Sequence, residues 1–407
     1  MKVFFIDVEQ GDSTLVMLSD GTTILVDCNF TKEHFPKIKK YISDNGLDQD
    51  IIDVLIITHP HEDHIRGIAE LYDNFTINAL YESGHRLFVS DKEKSKHYLD
   101  MIDVISKIKN SKKKYKIMKA YENLTIGTAD IKVFSPSKAF LEDEKPSERD
   151  IHDQCLVFRI EENGFSVLFT GDSSMYSWKE YIVPFYSDVN GKKNLLKSTV
   201  LSASHHGSNT FFYPTSKAED DPYTLGIEKV SPVVSIISAG VANRHGHPDR
   251  KALELYKKYS YSGKNHVYQT KDSASIIITS DEKGDFKLLT EDFIKRCDYE
   301  GMDEASAVIN ANPSPDGSGY YKKGVAITFQ VIVSKYPYGH PASEIRWCVQ
   351  NNSVKPDMNH DFYEGQKALN FFYKNETAYF GEHYLLCEVK DKTGTNICTQ
   401  YLKVKVK

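Results

Sequence analysis

At 407 residues the chain exceeds one average domain and sets an expectation of two. Hydrophobic residues make up 40% and charged residues 27%, which can bury a core. The net charge of −6 excludes a chain-wide basic field for nucleic acid, though it leaves room for a local patch. Six cysteines without CxxC spacing argue against a disulfide scaffold or a structural zinc knuckle and fit a reducing cytoplasm. The opening MKVFFIDVEQGDS has too short an apolar run, with acidic residues at once behind it, to read as a signal peptide. No stretch approaches the roughly 20 apolar residues that span a bilayer, so the expectation is a soluble cytoplasmic protein without a membrane partner.

In chain order, residues 2–8 and 14–18 read as strands, and Asp20-Gly21 is a two-residue turn into the returning strand TTILVD. Phe35, Ile38 and Ile42 recur at helical spacing, with Gly46 as a stop. Residues 51–58, IIDVLIIT, form a nearly continuous β-branched run and predict a strand buried on both faces. A short helix, IRGIAELY, follows a His-rich loop. Residues 155–160 and 165–170 predict a hairpin around Asn163-Gly164. A helix near 174–182, strands near 197–203 and 232–238, a helix near 249–259 and strands near 265–290 complete a layered α/β domain over 1–295. Residues 296–322 carry NANPSPDGSG and read as a linker. Residues 323–407 are almost all β and predict a second, smaller β-rich domain. Lys107, Lys109, Lys112, Lys113, Lys114, Lys116 and Lys119 form the strongest local charge cluster, which reads either as a track for a nucleic-acid backbone or as a solvated face.

The chemistry concentrates in Thr58-His59-Pro60-His61-Glu62-Asp63-His64, directly after the buried strand. Imidazole and carboxylate suit zinc, manganese or iron. In extended backbone, His59 and His61 point to one side and can reach one ion. Asp63 and His64, further on, can reach another. The spacing is not HExxH, so the helix-borne zinc protease arrangement is excluded.

His-x-His-x-Asp-His resembles the defining motif of the metallo-β-lactamase superfamily, and the N-terminal region resembles its ComEC-type branch. The residues that carry the likeness are Asp7-Val8-Glu9-Gln10-Gly11-Asp12-Ser13, with Glu9 where that branch has glycine, and Val26-Asp27-Cys28-Asn29, with Asn29 where glycine is usual. Thr170-Gly171-Asp172, His205-His206-Gly207-Ser208 and Asn243-Arg244-His245-Gly246-His247-Pro248 follow in the order of that branch. The Asn29 turn is expected to survive because Asn tolerates left-handed backbone. The resemblance implies a four-layer αββα sandwich and two divalent metal ions, zinc or manganese. His59 and His61 would hold one ion, Asp63 and His64 the other, and Asp172 would bridge them. His205, with His206 as the alternative, would complete the second site, and His152 or Asp153 the first. Asp27 would orient a ligand from behind. Ser208, Asn209, Asn243 and His247 are candidate substrate contacts, with His247 also a candidate proton donor. For Asn243 and His247 a structural role in the loop is the alternative.

Two ions roughly 3.5–4 Å apart activate water for attack on a phosphorus or carbonyl centre. The ComEC likeness, a branch associated with DNA degradation during uptake, implies phosphodiester cleavage of DNA. In the C-terminal region, Trp347, Tyr379, Gly381 and His383 resemble the sensor domain attached to bacterial cyclases and defence nucleotidyltransferases. That likeness implies a nucleotide or cyclic-nucleotide ligand and an effector role in anti-phage defence, with Trp347, Tyr379 and His383 as contacts. The competing expectations are a phosphodiesterase that destroys a small cyclic nucleotide and a non-catalytic recruitment module.

Overall fold

The computed structural model describes residues 1–407 except 88–93, 138–150, 192, 218–220, 262–265, 300, 303–304, 338, 355–359 and 366. The chain divides into two compact units, Met1–Gly284 and Asp285–Lys407. The boundary therefore falls before the expected position near 295. The expected linker 296–322 contains a strand, Ser306–Asn312, paired in register with Ala326–Lys335. The Pro- and Gly-rich composition marks only the turn between those two strands.

The strands of the first unit, in chain order, are β1 Lys2–Phe5, β2 Thr14–Met17, β3 Thr23–Val26, β4 Ile51–Ile57, β5 Thr76–Glu82, β6 Lys114–Ile117, β7 Asn123–Ile126, β8 Ala129–Ser135, β9 Val157–Glu162, β10 Phe165–Phe169, β11 Val200–Ser202, β12 Val234–Ile237, β13 Val267–Gln269 and β14 Ile276–Ser280. They form two sheets, ordered β14-β1-β2-β3-β4-β5-β6 and β13-β12-β11-β10-β9-β8-β7. Asp20-Gly21 makes the expected turn, with Leu18 N–H donating to Thr22 O at 2.9 Å and Gly21 at φ +90°. β4 pairs in parallel with β3 and β5 and is apolar except for Asp53, which accepts from Thr23 on the neighbouring strand.

One face of the first sheet packs Leu25, Leu55 and Ile77 against Phe35, Ile38 and Ile42 of the helix His34–Ser43 and Met101 and Ile105 of the helix Lys96–Lys109. The second sheet packs Leu168, Leu201 and Ile237 against Trp178, Ile227 and Tyr256 from its own helices. The remaining faces meet, as Phe5 stacks on Phe169 at 6.4 Å between ring centroids. The layer order is helix, sheet, sheet, helix. The helix expected near 174–182 is interrupted: Met175–Ser177 leads into a π-turn at Trp178–Ile182 and then Val183–Tyr186. Trp178 is fully buried there and donates from Nε1 to Ser173 Oγ at 2.9 Å.

The lysine cluster divides between the end of the helix Lys96–Lys109 and β6. Lys107 pairs with Asp103 at 2.8 Å and Lys116 with Glu122, while Lys109 and Lys114 lie over Tyr115 and Tyr81. Charges along β6, the last strand of its sheet, oppose edge-to-edge pairing. No described helix is long and apolar enough to cross a membrane.

The second unit opens with a strand, Phe286–Thr290, and a helix, Glu291–Cys297. Two antiparallel sheets follow. One orders Ser306–Asn312, Ala326–Lys335 and Phe372–Glu376; the other orders Phe362–Glu364, Glu344–Gln350, Gly381–Lys390 and Asn396–Val406. Alternate residues Ile327, Phe329 and Val331 of one sheet meet Trp347, Leu385 and Val404 of the other in one core.

Candidate metal centre

Strand β4 delivers Thr58 and His59 to the carboxyl end of the first sheet. His61 stays extended (φ −77°, ψ 151°) as the residue before a one-turn helix, Glu62–Ile65, which carries Asp63 and His64. The loop after β10 supplies Asp172. The loop after β11 supplies His205 and His206, both in left-handed backbone (φ 50° and 54°), a costly conformation for residues other than Gly.

These loops bring together two groups of ligand atoms that share Asp172. The first is His59, His61, His152 and Asp172, with His59 Nε2 3.0 Å from His61 Nδ1 and 3.5 Å from Asp172 Oδ2. His152, on a short turn at Ile151–Gln154, brings Nε2 to 4.0 Å from Asp172 Oδ2. Asp153, the alternative, instead accepts from Ser174 Oγ at the start of the next helix and stands apart from both groups. The second group contains Asp12, His64, Asp172 and His206. His206 Nε2 is also 3.2 Å from Asp63 Oδ2. The second group thus contains His206, the alternative, and not His205. The left-handed bend turns successive imidazoles apart, so that His206 Nε2 meets Asp63 while His205 Nε2 meets the other oxygen of Asp172.

Three atoms of the second group, His64 Nε2, Asp172 Oδ1 and His206 Nε2, are buried without a hydrogen-bond partner. Such atoms are costly unless something bonds them. Their other ends are engaged. Asp27 bonds His64 Nδ1 at 2.8 Å and is itself held by Thr58 N–H and Oγ1. His206 Nδ1 donates to Ser238 O at 3.0 Å. This leaves each Nε2 facing the centre, where a divalent transition ion could take the place of a proton.

Sequence reasoning gave no role to Asp12. Its Oδ2 lies 3.6 Å from His206 Nδ1 and 3.9 Å from His64 Nδ1, on the rear side of both rings. Its place in the Gln-Gly-Asp-Ser turn was the available signal. Gly11 is needed beside it, because a Cβ there would lie 2.2 Å from Asn29 Nδ2. Asn29 is not left-handed as expected; Asp27 is, at φ 57°. Asn29 instead donates to Gln10 O at 2.6 Å and pins the loop.

Electrostatics separate the two groups. Burial, reinforced by neighbouring imidazoles, lowers His59 and His61 to about 3. Burial lowers His205 to about 4. Burial alone would also lower His206, but the Asp172 and Asp12 carboxylates raise it to about 9, and Asp172 with Asp27 likewise raises His64. Burial would raise Asp172 and Asp63, yet the surrounding histidines hold both carboxylates below their usual range.

The centre lies in a cleft of about 560 Å³ whose lining includes Glu9, Arg66, His205, Arg244 and His247. His205 Nδ1 is held by Thr210 Oγ1 at 3.0 Å, and its Nε2 is 3.6 Å from Asp172 Oδ2. His247 lines the cleft 5.5 Å from His205, ring to ring. Asn243 also lines it but spends its amide on Gly240 O, His247 O and His247 N–H, which serves the loop. Ser208 and Asn209 are not in the cleft lining: Ser208 caps Thr210, and Asn209 bonds Asp249 and Ser216 O. In the second unit Trp347 is only 4% exposed and donates to Asn370 O, so its face is core and not a stacking platform. His383 bonds Asn352 N–H and Tyr379 O and ties together the loop that Tyr379 belongs to.

The sequence matches the family described as Metallo-beta-lactamase superfamily over residues 6–209. It is 27% identical over 275 residues to "ComE operon protein 3" of Bacillus subtilis (strain 168), covering 64% of this chain and 31% of that protein. It is 34% identical over 69 residues to "Anti-Pycsar protein Apyc1" of Bacillus phage vB_BsuM-Goe3, 16% of this chain and 24% of that one. The chain thus spans less than a third of the length of these relatives. Among solved structures it is similar to a mutant of the CmlA beta-hydroxylase, at 14% identity and a TM-score of 0.41, over 68% of this chain and 53% of that one.

Proposed function

The chain belongs to the metallo-β-lactamase superfamily, and from that premise we propose that it is a metal-dependent phosphodiesterase acting on nucleic acid, DNA first, as an effector in anti-phage defence. The observation that carries the hydrolytic reading is the pair of His/Asp groups sharing Asp172, whose buried atoms His64 Nε2, Asp172 Oδ1 and His206 Nε2 converge without a hydrogen bond beside a polar cleft. His59, His61, His152 and Asp172 would hold one ion; Asp63, His64, His206 and Asp172 the other. Zinc or manganese bound there would supply Lewis acidity and lower the pKa of water.

The rest is done by the chain's own groups. Asp27 and Ser238 O set the tautomers of His64 and His206, so no reorganisation is needed when substrate arrives. Asp12 places negative charge behind both rings. His205 and His247 stand on the cleft wall, where a leaving oxygen would emerge, and Arg66 and Arg244 offer charge to phosphate oxygens. The preference for DNA rests on the ComEC-type likeness. Nucleotide control through the second unit rests on its likeness to sensor domains.

A cyclic-nucleotide phosphodiesterase is the second reading. A cleft of about 560 Å³ is in the size range of small-ligand sites. Incubation with linearised DNA or with cyclic nucleotides, in manganese or zinc, separates the two. DNA cleavage that drops below detection in Asp63→Ala and Asp172→Ala is the expected result. Consumption of the cyclic nucleotide with intact DNA selects the second reading. Purified protein that retains no transition ion would overturn both.

A further inference from the structure

Glu9 is an uncompensated anion in a cleft that, on the reading above, binds anions. Its backbone is left-handed, at φ 61°, a conformation that glycine adopts freely and glutamate does not. Its side chain is exposed and lines the same cleft as His61, Asp63, Asp172 and His206. It rests against the loop opposite: a Cβ on Gly240 would lie 2.9 Å from Glu9 Oε2 and 2.7 Å from Gln10 N, so only glycine permits the approach. Glu9 N–H donates to Asp7 Oδ1. Among the described residues, however, its carboxylate takes part in no ion pair or hydrogen bond, even though Arg66 and Arg244 line the same cleft. Beside it, Gln10 Oε1 is likewise without a partner. On this wall a carboxylate and an amide oxygen both lack a donor. The other acids of the lining are answered: Glu62 by Arg66 at 3.2 Å, Asp63 by His206 at 3.2 Å and Asp172 by His205 at 3.6 Å.

An unanswered carboxylate weakens the binding of any phosphate placed against it. A strained residue that only weakened binding would gain nothing over glycine. The gain lies in discrimination, since a repulsive element rejects the wrong substrate more than the right one. We propose that Glu9 is a specificity residue that bars a second phosphate from its side of the cleft. The substrate is then a phosphodiester that ends on that side, such as the terminal linkage of a strand or a cyclic mononucleotide. The inference rests on the phosphodiesterase reading and names its substrate class. At the separation of neighbouring phosphates, one partly screened charge is worth roughly fivefold to tenfold.

The test compares a linear single strand with a covalently closed circle of the same sequence, in manganese. The wild type trims the line from its end and cuts the circle at least about tenfold more slowly. In Glu9→Gln and in Glu9→Gly, which also removes the strain, the circle-to-line rate ratio rises about fivefold to tenfold. A labelled 12-nucleotide circle, titrated in EDTA, binds more tightly to both variants. A ratio within twofold of wild type in both variants overturns the proposal, as does a wild type that cuts circle and line alike. A 3′,5′-cyclic mononucleotide hydrolysed faster than either DNA identifies the small diester as the source of the terminal linkage and supports the proposal. Bis(p-nitrophenyl) phosphate carries no flanking phosphate and reports on the underlying reading. If it is not hydrolysed in manganese or zinc, that reading fails; if it is hydrolysed while the ratio does not move, only the role of Glu9 fails.

Discussion

Asp27 is the residue on which the second ligand group depends most. Its carboxylate bonds His64 Nδ1 at 2.8 Å while Thr58 N–H and Oγ1 fix its own orientation, all in buried surroundings. Removing it frees the imidazole to rotate or change tautomer without removing a ligand. Asp27→Ala is expected to lower metal affinity by about 10- to 100-fold, measured by competition with a chromogenic chelator, with less effect on the group built on His59 and His61. At this scale the sequence was partly legible. His59, His61, Asp63 and His64 stand in one short run at the end of β4, so their closeness along the chain already gathers them. The choice between His205 and His206 could not be made that way, because adjacent imidazoles separate only through two positive φ angles. Asp12 was equally obscure, because its role depends on rings that approach it from other elements.

Among the elements, the two sheets are tied by Glu162 at the end of β9. Its carboxylate accepts from Ser19 N–H at 3.0 Å and Ser19 Oγ at 2.8 Å, just beyond β2, and from Thr128 between β7 and β8. Burial alone would raise its pKa, but the hydrogen bonds from Thr128 and Ser19 outweigh it and hold the group at about 2, against an ordinary 4.5. Because the folded value is depressed, the ionised tie stabilises the fold fully above about pH 4.5, and this contribution fades as the pH falls towards 2. Denaturant melts of the wild type and Glu162→Gln should differ most near neutral pH and converge near pH 2. A gap independent of pH would disprove the assignment. The strand and helix periods of this unit were readable wherever an element is amphipathic or buried on both faces, as with β4 and the helix His34–Ser43. The break at Trp178–Ile182 was not, since a helical pattern continues through a π-turn and only the buried indole shows why the helix yields there.

For the whole molecule, Asp12, Asp27, Asp63 and Asp172 gather around one centre in the unit Met1–Gly284, so divalent ions and the fold of that unit are linked. Ligand binding to the folded state alone stabilises it by about 4 kcal/mol at a thousandfold excess over Kd. Calorimetry in manganese or zinc against EDTA should raise the melting of the unit that carries the site. Asp172→Ala should erase the shift. A shift of equal size in that variant would place the ion elsewhere.

The sequence alone determined the layered α/β class, the β-rich second unit and the His-x-His-x-Asp-His cluster, because each follows from periodicity or from neighbours along the chain. Tertiary structure decided the rest. It placed His152 and His206, and neither Asp153 nor His205, in the two groups of ligand-type atoms, put Ser208 and Asn209 in turns and Trp347 in the core, set the unit boundary at Gly284, and set Glu9 in strained backbone on the cleft wall. Each of these depends on where a loop from one strand meets a loop from another, and that distance in space has no counterpart in spacing along the chain.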